Sequence, residues 1–397
     1  MITLGWILVL LPVALLLYAY VLYPSILWII VRGRARTQTP AAKLPMVSIV
    51  VPAYNEEAQI RGAIKALLAQ DYPADRRQIL ILSDASKDRT DEIVAEHFSM
   101  GVELLRMPVR GGKTAAENAS IPHLRGEIVV NSDSSVRLHP QAVRRLVEAM
   151  ADPHVGVAST RDVSIARATE TKNVAEAGYV GYEMRIRALE TLAGGIVGAS
   201  GSGYAIRAEL HALPIPAELS RDFSAALTAQ IHGYSAVSVD NAVCFVPRTT
   251  SLKSEYRRKV RTISRGLETL MYRSQLLDPI QHGLFSFKLL SHKVVRWVVP
   301  ASGVPAMFGL AILAPLHPWA AELIACVILG IAITGLGAIW PESRPLPRFF
   351  SIVTFAVAAN IAVVHALVRV ALGRQDHLWE PTRRPPATST QTQTQTA

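Results

Sequence analysis

The sequence predicts an α/β domain with a mostly parallel, doubly wound sheet, set among apolar helices long enough to span a membrane. Two observations carry this. From Met46 to Asp133 short apolar runs alternate with helical spacing in a βαβα rhythm, the pattern that builds parallel sheets with ligands at the carboxyl ends of the strands. Around this charged middle stand long uncharged tracts, in a chain of 397 residues that is 50% hydrophobic and only 18% charged. That is too apolar for an ordinary soluble enzyme.

The tracts come first in the chain. Residues 1–31 contain no charged side chain, and a spanning helix needs roughly 20 apolar residues. The stretch lacks a basic start and exceeds the h-region of a signal peptide, so it is expected to stay as a transmembrane anchor. Further tracts run Trp297–Ala321, Leu323–Pro341 and Phe349–Val368, giving about three more spans within 297–370. Between domain and spans, residues 276–296 (DPIQHGLFSFKLLSHKVV within them) are amphipathic and expected to form an interfacial helix. The tail, 371–397, ends in ATSTQTQTQTA and is expected to be disordered there.

Arg32, Arg34, Arg36 and Lys43 follow the first tract and nothing basic precedes it. Cytoplasmic flanks collect Lys and Arg, so the central domain is expected on the cytoplasmic side of the cell (inner) membrane. The link APLHPW is nearly chargeless and reads as external; PESRPLPRFF, with Arg344 and Arg348, reads as internal. Parity then puts the tail outside, whereas RQDHLWEPTRRPP has the composition of a cytoplasmic flank. The pattern therefore also admits a re-entrant tract.

The net charge of +10 lies largely near the membrane ends and in YRRKVR. It suits anionic headgroups and phosphate; no base-reading motif is present, and nucleic acid is not expected as a partner. Two cysteines, Cys244 and Cys326, make neither a disulfide framework nor a metal cluster.

In the middle, VSIVVPA, QILILS, VELLR and EIVVNSD are strand runs, and AIKALLAQ, DRTDEIVAEHF and KTAAENASIPHL are helical. Polar residues gather where the strands end: YNEE, DASKDRT, the loop RGGK, and DSS. An apolar sheet with acids and a Gly-Lys loop along one edge reads as a phosphate-ligand site.

These motifs carry a resemblance. VSIVVPAYNEEAQI, ILSDASKDRTDEI, RGGKTAAENAS, NSDSSVRL, SRDFSAAL and YRRKVRT resemble, in order over roughly residues 46–265, the family 2 glycosyltransferases, membrane enzymes with a Rossmann-like GT-A fold. The resemblance implies a GT-A domain over 46–275, a UDP-sugar donor, a lipid or growing glycan acceptor, membrane lipids as partners, and Mg2+ or Mn2+. It also implies the roles of individual residues. Pro52, Tyr54 and Glu56 belong to the opening strand and turn, with Tyr54 against the base and Glu56 near ribose or uracil. Asp84 suits the uracil N3–H, with Asp88 and Thr90 mostly capping the helix that follows. Lys113 can reach a phosphate from a glycine-flexed loop; this is no Walker A motif, since the upstream glycine is missing.

Asp133 is the expected metal and diphosphate ligand. Many family members have a second aspartate two residues on, where this chain has Ser135, as in a ceramide glucosyltransferase-like branch that NSDSSVRL resembles. Ser135 offers at most a neutral oxygen, so phosphates and water would complete the shell. Asp222, in SRDFSAAL, is the expected general base; the alternative is a helix N-cap. Gly198, Gly201 and Gly203 precede it near the expected acceptor entrance. In YRRKVRT, Arg257 and Arg261 share a helical face, as do Arg258 and Arg261. Arg258 and Arg261 are the expected clamp on the leaving diphosphate, and a headgroup-binding patch is the alternative. Thr262 stands where the family has tryptophan, which leaves acceptor type and processivity open.

The leading expectation is an inverting, metal-dependent glycosyltransferase. Another is a nucleotide-binding membrane subunit of a polysaccharide secretion complex that has lost catalysis. A transporter is disfavoured, because His365 and Glu322 are the ionisable residues in or beside the spans.

Overall fold

The computed structural model describes residues 1–34, 44–165, 174–247, 252–341 and 346–374. Arg36, Lys43, Arg344 and the tail from residue 375 lie outside the described residues, and with them the expectations that rest on them.

The chain opens with a long apolar helix, α1 (Ile2–Val31). The α/β region follows: β1 (Val47–Ala53), α2 (Ile60–Leu68), β2 (Arg77–Ser83), α3 (Thr90–Ala95), β3 (Val102–Arg106), α4 (Lys113–Ser120), β4 (Ile128–Ser132) and β5 (Arg137–Leu138). Next come α5 (Ala142–Ala149), β6 (Val155–Ile165), α6 (Val174–Leu192), β7 (Gly203–Arg207), α7 (Ala208–His211), α8 (Arg221–Ile231), β8 (Ser235–Pro247) and α9 (Leu252–Tyr272). Three more apolar helices close the described chain: α10 (Pro279–Leu313), α11 (Pro318–Ile339) and α12 (Arg348–Ala371).

Eight strands form one sheet in the order β3-β2-β1-β4-β7-β6-β8-β5. The first four are parallel, as the βαβα rhythm requires; β7 runs antiparallel to both β4 and β6. Every residue of β1 is buried, because helices cover both faces of a parallel sheet and leave no solvated side to alternate toward. On one face Ile49, Val51, Ile79 and Ile81 pack with Ile60 and Ile64 of α2 and Leu146 of α5. On the other, Val50, Leu80, Leu82 and Val129 pack with Ala116 of α4 and Ala225, Ala226 and Ala229 of α8.

Register decides where the chemistry falls. Ala53 pairs with Ser83 and Val50 with Asn131. The sheet therefore delivers Tyr54, Asp84 and Asp133 to one edge, each just beyond a strand.

Among the described residues four helices, α1, α10, α11 and α12, are long and apolar enough to cross a membrane. Large apolar side chains such as Leu11, Ile29, Phe308, Leu329 and Phe349 face outward on them, far more apolar surface than a soluble domain exposes. Two boundaries differ from the sequence reading. The tract Trp297–Ala321 is divided, one helix ending at Leu313 and the next starting at Pro318, where proline favours a helix start. The segment 276–296 does not form a helix of its own. It starts with a 3₁₀ turn at Ser274–Leu277, breaks at Gly283 (φ +49°), and passes through a π turn (Leu290–Val295) straight into the apolar helix.

That π turn is where sheet domain and apolar helices lock together. The two ring nitrogens of His292 each lie 2.7 Å from a carboxylate oxygen, Nε2 from Glu183 and Nδ1 from Glu190. Arg296 donates to Glu183 at 2.8 Å, and the Tyr23 hydroxyl of α1 donates to Glu190 at 2.5 Å. Burial opposes ionisation of Glu183, but His292 and Arg296 hold its carboxyl well below the usual range. Lys288 donates to Ala193 O (3.0 Å) and Gly195 O (2.5 Å), satisfying carbonyls left over at the end of α6.

Candidate functional site

A cavity of about 270 Å³ opens at the carboxyl edge of the sheet. Of the two turns that follow β1 and β2, the first reaches it through Glu56. Asn55 (φ +52°) and Ala85 (φ +56°) are non-glycine residues in the left-handed region, a costly conformation that tends to mark functional turns. The turns are tied together: Asn55 Oδ1 accepts from Lys87 N (2.8 Å), Thr90 Oγ1 from Glu56 N (2.8 Å), and Asp88 from Glu57 N (3.0 Å). Asp88 also accepts from Thr90 N at 3.0 Å, one residue ahead of Arg89, which holds the N-cap position of α3.

Asp84 is 1% exposed, and its two oxygens accept from Gly111 N (2.7 Å) and Gly112 N (2.8 Å). The carboxylate that the sequence directs at a base holds the glycine loop. Gly112 sits at φ +88°, which a side chain would strain, and it turns the loop into α4 with Lys113 first. Arg110 covers one face of the Tyr54 ring, its guanidinium 3.8 Å from the centroid. Pro52 is inside β1, in register with Leu82. Pro52, Tyr54 and Asp84 do not line the cavity, while Glu56 does.

Lys113, Asp133, Ser135, Asp222, Arg258 and Arg261 all line the cavity. Lys113 Nζ donates to Asp133 Oδ1 at 2.6 Å and lies 3.5 Å from Gly201 O. Burial works against its charge, but Asp133, Glu117 and Asp222 outweigh it and raise the lysine pKa. Asp222 is not the N-cap of α8. That position is Ser220, and Asp222 lies in the first turn, its Oδ1 accepting from the Ser220 hydroxyl. Its other oxygen, Oδ2, receives no hydrogen bond from the described residues and faces Gly201, where a Cβ would stand 2.6 Å from it.

On α9 the pocket face carries Arg258, Arg261, Thr262 and Arg265; Arg257 is exposed and takes no part. Arg258 pairs with Glu255 at 2.6 Å. Among the lining residues that escaped the sequence reading are Arg265, Arg221 and Glu117. Arg265 donates to Ala217 O, Glu218 O and Leu219 O (2.8–2.9 Å), fixing the loop that delivers Ser220 and Asp222. Its signal was helical spacing, four residues beyond Arg261. Arg221 donates to His211 O at 3.1 Å and to Asn118. Glu117 is fully buried, one turn beyond Lys113, and burial raises its pKa.

A divalent cation fits only with help. Asp133 and Ser135 offer one charged and one neutral oxygen, and no group of three His, Cys, Asp or Glu residues among the described residues could hold a metal. Mg2+ and Mn2+ accept such sites when substrate phosphates complete the shell.

His211 shows the cost of this packing. Burial, then the adjacent Arg221, hold its pKa well below 6.5. Its contribution to stability is full above pH 6.5 and declines as pH falls below that value, because the unfolded state takes up the proton first. The His211→Gln variant should therefore lose less melting temperature than wild type between pH 7.5 and 5.5. Equal losses would count against this source of acid sensitivity.

A Rossmann-like sheet with acidic turns and a Gly-Lys loop at its carboxyl edge, facing a carboxylate on the first turn of a helix, defines the class: a GT-A domain. Residues 48–211 match the family model described as Glycosyl transferase family 2. Among curated relatives, Probable glycosyltransferase YdaM of Bacillus subtilis (strain 168) is 37% identical over 111 residues, 26% of each chain. Beta-monoglucosyldiacylglycerol synthase of Synechocystis sp. is 32% identical over 121 residues, 30% of this chain and 25% of that one. The match thus spans about a quarter of these relatives' length. Of solved structures, the mannosyltransferase PcManGT from Pyrobaculum calidifontis, in complex with GDP-Man and Mn2+, superposes with a TM-score of 0.70 at 22% identity. It covers 94% of this chain and 99% of its own, so the fold is shared well beyond the sheet domain.

Proposed function

We propose that this chain is a membrane-embedded inverting glycosyltransferase that moves a sugar from a UDP-sugar to a lipid or growing glycan acceptor. The observation that carries this is the convergence of Lys113, Asp133, Asp222, Arg261 and Arg265 on one cavity beside the apolar helices. The acceptor hydroxyl gives its proton to Asp222 Oδ2 while its oxygen attacks the anomeric carbon. The bond from that carbon to the diphosphate breaks, and its electron pair leaves with UDP. One displacement inverts the configuration. Arg258 and Arg261 stabilise the charge that builds on the departing diphosphate, and Lys113 adds its positive field from within the same cavity. Mg2+ or Mn2+ held by Asp133, with Ser135 beside it, would neutralise the diphosphate further.

Tyr54 and Glu56 are placed on the nucleoside side, and Asp84 and Pro52 shape that side through the loop and strand they hold. The synthase named for a glucosyl diacylglycerol product supports a lipid acceptor. Arg32 and Arg34 at the end of α1 support a domain on the cytoplasmic face of the cell membrane, with α1, α10, α11 and α12 as spans.

The test is nucleotide release from the purified full chain with membrane lipids present, across UDP-sugars and, because the Pyrobaculum enzyme was solved with GDP-Man, GDP-sugars. At least one UDP-sugar should yield UDP in a lipid- and metal-dependent way. Release of GDP alone would overturn the uridine assignment. UDP binding without release from any donor would favour a catalytically impaired subunit.

A further inference from the structure

We infer that Glu117 is a positioning residue, a second seat for the Lys113 ammonium when a divalent cation takes Asp133. This rests on the metal reading above. Lys113 Nζ is 2.6 Å from Asp133 Oδ1, so in this structure the lysine holds the carboxylate that a metal would use. Two cations pressed against one carboxylate repel each other. With serine rather than an acid at 135, Asp133 cannot hand either of them to a neighbouring side chain in its own loop.

The lysine must therefore move, and its surroundings limit where. Its side chain is only 16% exposed, and a buried charge stripped of its partner is strongly destabilising. Glu117 lies four residues on, along the same face of α4, and lines the same cavity. It is 0% exposed, yet neither carboxylate oxygen has a hydrogen-bond partner among the described residues. A fully buried carboxyl in that state calls for an explanation. The nearby cation, Arg221 Nε, stays 3.8 Å from Glu117 Oε2, beyond hydrogen-bonding distance, because its guanidinium is fixed on Asn118 and His211 O. What Glu117 lacks is a mobile donor. Lys113 is one, a single helical turn away.

Metal uptake and lysine movement then form one exchange, and Glu117 sets its balance. The experiment measures Mn2+ affinity by electron paramagnetic resonance of the free ion, with UDP added, on the full chain in detergent. Glu117→Gln should weaken Mn2+ binding roughly tenfold, within the range of couplings seen between interacting residues. Lys113→Met should tighten it by removing the competitor. In the Lys113→Met background, Glu117→Gln should have almost no effect. An equal effect in both backgrounds, or none in either, overturns the inference while leaving the metal reading intact. If wild type binds no Mn2+ in the presence of UDP, the metal reading falls and this inference with it. Should Glu117→Gln fail to fold, Glu117→Asp keeps the charge and should bind Mn2+ nearly as wild type does; a folded Glu117→Asp protein with tenfold weaker binding overturns the exchange.

Discussion

Asp222→Asn should lower turnover by roughly 10² to 10⁴, a loss of about 3–5 kcal/mol of transition-state stabilisation. Asparagine keeps the shape and can still accept from Ser220, so α8 and its first turn should stand unchanged. What disappears is the capacity to take the acceptor proton. UDP affinity should stay within twofold, because on the reading above Asp222 serves the acceptor rather than the nucleotide. UDP binding by calorimetry and turnover on the same preparation decide the matter. A parallel fall in both would make Asp222 structural, and surviving turnover would place the base elsewhere.

Gly201→Ala should act on the same oxygen without touching it chemically. A Cβ there would stand 2.6 Å from Asp222 Oδ2 and 3.4 Å from Cγ. Because the obstacle is the end of a rotatable side chain, the fold should absorb the change by swinging the carboxylate away. Misplacing a catalytic group by about an ångström can cost 10²-fold. Turnover should therefore drop roughly that far with melting temperature little altered. A variant that keeps full turnover would show that Oδ2 is not where the proton goes, and one that unfolds would show the segment to be rigid.

The legible parts of this protein are those whose physics is local. Continuous apolar runs such as VSIVVPA and QILILS announced buried parallel strands, and parallel register alone carries the residues after them to one edge. Lys113, Asp133 and Asp222 were readable because each follows a strand end or opens a helix. Glu117, Arg221 and Arg265 were not. Each sits within a helical pattern where a charged residue ordinarily marks a solvated face, and only the packing of α4, α8 and α9 around the cavity turns them inward. The second half of the sheet, where parallel and antiparallel pairings mix, was unreadable for a related reason. β6 carries Ser159, Thr160, Arg161 and Asp162, and its place depends on pairing with β7 and β8, which come much later in the chain. The segment 276–296 misled because its amphipathic pattern says which side is apolar, and nothing about whether the backbone continues.

The lock at the π turn has a mechanical consequence. Glu183 and Glu190 are gripped from two apolar helices at once, by Tyr23 on one side and by His292 and Arg296 on the other. Tilting the sheet domain against those helices would have to break these buried, charge-assisted contacts together, at a cost on the order of several kcal/mol. The sheet domain is thus an anvil bolted to its bench rather than one jaw of a hinge.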